Sequence, residues 1–151
     1  MDNIKEVKSD LPENFEELKK SSSRASNWRE RLAAIEELGQ WKSSQSITIL
    51  TSLMKNDNVY KVQEAAFRKL QAFGEDVQLP SRKQGDLIEG QGGVRKVLSR
   101  IKKSLPRDHT YEEFKEKVKK MRIDIYDTYE GDKEADFDKW LETTWVSFSK
   151  K

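Results

Sequence analysis

Arg31-Leu-Ala-Ala-Ile-Glu-Glu-Leu38 and Gln63-Glu-Ala-Ala-Phe-Arg-Lys-Leu70 lie 32 residues apart and read nearly as copies of one another. The match extends outward: Phe15 and Leu18 fall on Ile47 and Leu50, and Trp28 falls on Tyr60. A fixed period of this length marks a stacked helical repeat, in which one helix pair cannot bury its apolar face without a neighbour. Such stacks usually serve as binding surfaces, so the period bears on function as well as fold.

Working outward from the twin segments, residues 12–20 predict a first helix, with Pro12 in the opening turn and Ser21-Ser-Ser23 as a break. Asn27 with Glu30 three residues on has the capping-box spacing. Trp28, Leu32, Ile35 and Leu38 then recur along one face of a second helix that Gly39 can end. Ile47, Leu50, Leu53 and Met54 form a third stripe, and Asn56-Asp57-Asn58 reads as a turn. The fourth helix carries Val59, Val62, Ala66, Phe67 and Leu70 and stops near Gly74. Ala33/Ala34 and Ala65/Ala66 are expected to let neighbouring helices approach closely while larger side chains fill the seam.

The order Leu50, Leu53, Asp57, Val62, Ala65-Ala66, Leu70, Gly74 resembles the HEAT repeat, over residues 12–74. Gln63 stands where that family commonly carries a basic residue, and Glu30 where a valine is expected. The resemblance implies an all-α fold, a short HEAT-like α-solenoid of two helix pairs. It also implies a non-enzymatic scaffold that holds a protein partner. HEAT-like folds include DNA-binding members, among them glycosylases of alkylated bases, but none of their catalytic positions can be matched here.

The second half differs in character. Pro80, Gly85, Gly90, Gly92 and Gly93 predict a Gly/Pro-containing linker over 77–92, between repeats at 1–76 and a helical C-terminal region at 93–151. Three helices are expected there. Val94, Val97, Leu98, Ile101 and Leu105 line the first, which stops before Pro106. Thr110 and Glu113 form a capping box for the second, lined by Tyr111, Phe114, Val118 and Met121. Ile123–Gly131 either continues it or breaks near Asp124. Asp136 is expected to cap the last helix, with Phe137, Trp140, Leu141, Trp145 and Phe148 on its face.

Composition narrows the function. The chain has no cysteine and one histidine, so thiol chemistry, thiolate metal sites and most catalytic triads lack their groups. No catalytic residues, cofactor or metal are therefore expected. Absence of a long apolar run argues against a membrane span. Residues 1–10 carry acids rather than a signal-like apolar core, which points to the cytoplasm. Oligomeric state is not legible.

Charge is uneven despite a net of +2. Residues 82–122 hold 13 basic and 6 acidic side chains, while 123–151 hold 4 and 8. At about 100° per residue, Lys96, Arg100 and Lys103 fall opposite the apolar stripe of their helix, with Arg95 on its flank. Lys115 and Lys119 add to this face from the next helix. Together these six residues form a candidate site for phosphates and nucleic acid, the alternative to a protein partner. The competing reading is a solvated face, or a dock for the acidic C-terminal segment. Gly90-Gln-Gly-Gly93 lacks the ending of a phosphate loop and reads as linker. His109 reads as an exposed residue at a helix start. Asp124, Asp127, Glu130, Asp132, Glu134, Asp136 and Asp138 do not follow the calcium-loop order and read as an acidic turn. Trp140 and Trp145 are candidate aromatic anchors for a partner, with burial in the core as the competing role.

Overall fold

The computed structural model describes residues 11–24, 27–82, 87 and 93–148; Gly85, Gly90-Gln-Gly92 and the N-terminal ten residues lie outside them. The chain divides into two compact units, Met1–Arg82 and Lys83–Lys151. Every described element is helical.

In the first unit, α1 (Phe15–Ser22) packs on α2 (Trp28–Leu38), and α3 (Ser44–Asn56) packs on α4 (Tyr60–Ala72). The two pairs stack, α1 against α3 and α2 against α4, so the twin alanine-bearing segments are neighbouring helices. Trp28, Ile35, Leu38, Leu50, Met54, Val62 and Leu70 are buried in one core. Only one alanine of each twin reaches the seam. Ala34 and Ala66 are buried, whereas Ala33 is exposed and Ala65 half-buried, because one step along a helix turns the side chain by about 100°.

Local chemistry sets the helix ends. The Asn27 side chain accepts from Glu30 N at 3.1 Å, and Ser43 Oγ accepts from Ser46 N at 3.0 Å. Gly74, at φ 88°, follows α4. Its N–H donates to Gln71 O at 2.9 Å and Glu75 N–H donates to Leu70 O at 3.0 Å, the paired closure that left-handed glycine permits. The first helix runs two residues beyond its expected end: Ser22 Oγ folds back on Lys19 O at 2.8 Å, so the serines extend the helix rather than break it. Pro12 stays ahead of the helix, its carbonyl accepting from Phe15 N at 3.1 Å.

The stretch expected to be bare linker is anchored at both described ends. Val77 and Leu79 pack against the repeat core, and Tyr60 Oη donates to Pro80 O at 2.9 Å. Leu87 is buried in the core of the second unit, where its N–H donates to Tyr129 Oη at 2.9 Å.

The second unit contains α5 (Val94–Lys103), α6 (Tyr111–Met121), α7 (Ile123–Lys133), a 3₁₀ turn (Glu134–Asp136) and α8 (Phe137–Ser147). The second of the three expected helices is thus divided. At Arg122 the backbone leaves the helix (φ −138°, ψ 68°), and the guanidinium clasps Asp124 at 2.9 and 3.0 Å across the joint. Val94, Leu98, Ile101, Phe114, Val118, Ile125, Phe137 and Leu141 form the core. Met121, expected on the buried face, is 53% exposed because it sits in the last turn beside that break. The Thr110–Glu113 capping box forms with both hydrogen bonds. Asp136 precedes α8 but makes no side-chain cap, since the 3₁₀ turn already leads the backbone into the helix.

Candidate functional surfaces

A buried ion pair ties α2 of the repeat unit to the α3–α4 turn. Arg31 Nε and Nη2 donate to Asp57 Oδ2 and Oδ1 at 2.7 and 3.1 Å, with both side chains almost wholly shielded from solvent. A third donor of the guanidinium reaches Arg24 O. Asp57 Oδ1 also accepts from Val59 N at 2.9 Å, so one carboxylate closes the α3–α4 turn and ties α2 to it. Bidentate geometry with the remaining lone pairs used is the arrangement in which a buried pair repays its desolvation. At the equivalent place 32 residues on, Gln63 Nε2 donates to Met54 O at 2.8 Å.

Opposite the core, α2 exposes Arg29, Ala33 and Glu36, and α4 exposes Lys61 and Arg68. Lys69 joins the two helices through Glu36 at 3.0 Å. On the other layer, Phe15 and Lys19 of α1 and Ser44, Gln45, Thr48 and Ile49 of α3 line a shallow groove. The described residues of the unit therefore offer a mixed polar and small-residue surface.

The six basic candidates do not form one face. Lys96, Arg100 and Lys103 run along the exposed side of α5, opposite its buried valine, leucine and isoleucine residues. α5 contains no acidic residue, and among the described residues none of the three takes part in an ion pair or hydrogen bond through its side chain. The other three point to α7 and α8. Arg95 Nη2 donates to Ser147 Oγ at 2.9 Å, with the guanidinium 4.8 Å from the Phe148 ring centroid. Lys115 Nζ pairs with Asp138 Oδ1 at 2.8 Å, and Lys119 Nζ stands 5.5 Å over Tyr126. The α6 lysines are also interleaved with acids: Glu112, Glu113 and Glu116 share a depression beside Leu105 with Lys117, Lys119 and Lys120.

Both tryptophan candidates are half-buried and engaged within the unit. Trp140 stacks on Tyr129 (4.7 Å, 6°), with Lys133 Nζ 5.1 Å from its ring. Trp145 is walled by His109, Tyr111 and Phe114, at centroid distances of 5.6, 5.8 and 6.2 Å. Lys102 lies 4.8 Å over the same ring and donates to Trp145 O at 2.7 Å; burial pulls its pKa down. Trp145 Nε1 donates to His109 Nε2 at 2.8 Å, which assigns the proton of that imidazole to Nδ1, 2.5 Å from Pro106 O. His109, expected to be exposed, is a half-buried partner of Trp145. Nothing local in the sequence signals this contact, because His109 lies in the connection before α6 and Trp145 is 36 residues on, in α8.

The acidic segment also resolves into separate partnerships. Asp124 serves Arg122, whose guanidinium holds the carboxyl below its ordinary value. Asp138 serves Lys115 and accepts from Tyr111 Oη at 2.7 Å. Asp127 is buried. No group of three or more His, Asp or Glu side chains fit to hold a metal occurs among the described residues. No helix among them is long and apolar enough to cross a membrane.

A family model described as HEAT repeats matches residues 15–81, which spans all four helices of the first unit and its packed tail. No curated protein and no solved structure matches the chain.

Proposed function

We propose, from the HEAT repeats at residues 15–81, that the chain is a non-enzymatic interaction module that holds a protein partner in the cytoplasm. HEAT repeats commonly act as protein-interaction scaffolds, and repeat stacks bind through extended surfaces rather than pockets. The observation that carries the reading is the Arg31–Asp57 clamp, which fixes α2 against the α3–α4 turn. A frame held in this way presents Arg29, Ala33 and Arg68 without an ordering cost on binding.

The test is affinity capture from cell extract with the wild-type chain and with Ala33→Arg/Arg68→Glu, followed by mass spectrometry. Both positions are exposed, so the variant keeps its fold. A partner retained by wild type and lost from the variant is the expected result. Identical retained sets would refute this surface as the binding face.

A further inference from the structure

We infer that the exposed stripe of α5, formed by Lys96, Arg100 and Lys103, is a docking site for the sugar–phosphate backbone of duplex nucleic acid. The inference concerns the second unit and stands apart from the protein-binding reading of the repeats.

Three observations carry it. First, the cations are unspent. Elsewhere in this unit, Arg95, Lys102, Lys115 and Lys119 lie against a hydroxyl, a carbonyl, a carboxylate or an aromatic ring, whereas these three make no such contact among the described residues. Like charges one helical turn apart repel, at a few tenths of a kcal/mol per pair, and the chain carries this cost with no acid on α5 to offset it. Second, the stripe has the right extent. Four residues advance a helix by about 6 Å and seven by about 10.5 Å, so the charges form a ridge long enough to lie along successive phosphates, which follow one another at about 3.4 Å of axis per strand. Third, the opposite face of α5 is spent on the core. Val94, Val97, Leu98 and Ile101 are buried, which leaves the helix no apolar face to insert into a lipid surface.

Duplex is favoured over single strands by the same geometry. Sequence-independent binding of single strands needs a positive groove floored with free aromatic faces. Here the charges sit on a ridge, and the aromatic rings beside α5, Trp145 and Phe148, each have a cation over one face.

The experiment measures fluorescence anisotropy of the full chain with a labelled 20-base-pair duplex and with single strands of equal length, over about 50–300 mM NaCl. Each phosphate contact contributes about 0.9 to the slope of log affinity against log salt. Lys96→Gln/Arg100→Gln/Lys103→Gln should therefore lower that slope by roughly 2 to 3 and weaken duplex binding at least tenfold at 50 mM salt. Lys19→Gln/Lys20→Gln/Lys55→Gln, three exposed lysines of the first unit, should leave both unchanged. Arg100→Gln alone, lowering the slope by about 1, reports the same contact with minimal change to the surface. No duplex binding at 50 mM salt, an equal loss in the control variant, or tighter binding of single strands each overturns the inference. So does capture of anionic vesicles or a poly-glutamate peptide with affinity at or above that for the duplex.

Discussion

Asp57 ties α2 to the α3–α4 turn of the repeat unit. It satisfies Arg31 in a bidentate pair and closes the turn onto Val59 N, all with little solvent. Removing one member of a buried pair strands the other, at about 3–5 kcal/mol, whereas removing both charges costs much less. Asp57→Asn keeps the acceptor for Val59 but leaves the guanidinium uncompensated. Urea denaturation should therefore show a loss of about 3–5 kcal/mol for Asp57→Asn and recovery of most of it in Arg31→Met/Asp57→Asn. Additive losses in the double variant would show that the two residues are not coupled. The pair was half-legible. Asp57 is named by the repeat pattern, and Arg31 occupies the position of Gln63, where the family commonly has a basic residue. Glutamine replaces the basic residue in the second copy, while the first copy keeps it as Arg31. What no spacing could reveal is that the contact crosses from one helix pair to the next.

Helices proved readable in proportion to how locally their signals act. The Thr110–Glu113 box needs only residues three apart, and it forms as expected. α7 gave no stripe because it buries Ile125, Asp127, Thr128, Tyr129 and Gly131, a mixed set spread around the helix. Its polar residues are buried by tertiary partners, and hydropathy cannot anticipate those. α6 and α8 are joined by Lys115, Tyr111 and Asp138, a cluster with a defined pH response. The Lys115 bond, then that of Tyr111, holds the Asp138 carboxyl below its ordinary 3.8, against a smaller opposing effect of burial. Asp138 raises Lys115 above its ordinary 10.5, and burial first, then Asp138, raises Tyr111 so that it remains a donor. A depressed carboxyl contributes stability fully above 3.8 and loses it as pH falls through the folded value. Lys115 has the opposite sign: its contribution is complete below 10.5 and fades as pH rises through its own folded value. Because Asp138 is more than half exposed, solvent screens the pair and the effect on overall stability is small. Carboxyl-carbon NMR titration reads it directly. Asp138 should titrate below 3.8 in wild type and move upward in Lys115→Met; an unmoved midpoint would remove the lysine from its role.

At the scale of the whole molecule, the chain carries two cores with different origins. The first follows from a repeat that announces itself by its 32-residue period, while the second follows from helices with no internal echo. Glycine and proline between residues 77 and 92 suggest a linker by composition, but composition is blind to the few apolar residues inside it. Val77 and Leu79 belong to the repeat core, and Leu87 belongs to the C-terminal core. The units should therefore be cut at Arg82, not at the edges of the glycine-rich stretch. Fragment 83–151 retains Leu87, only 8% exposed, together with its N–H bond to Tyr129 Oη at 2.9 Å. Fragment 93–151 loses both and leaves an apolar gap beside Tyr129. Burial of a leucine side chain is worth about 1.5–3 kcal/mol. Thermal unfolding followed by circular dichroism should show cooperative melting for 83–151 and a midpoint lower by several degrees, or no cooperative transition, for 93–151. Leu87→Ala in the longer fragment should reproduce part of that loss. Equal midpoints for the two fragments would return residues 83–92 to the status of linker and separate Leu87 from the core.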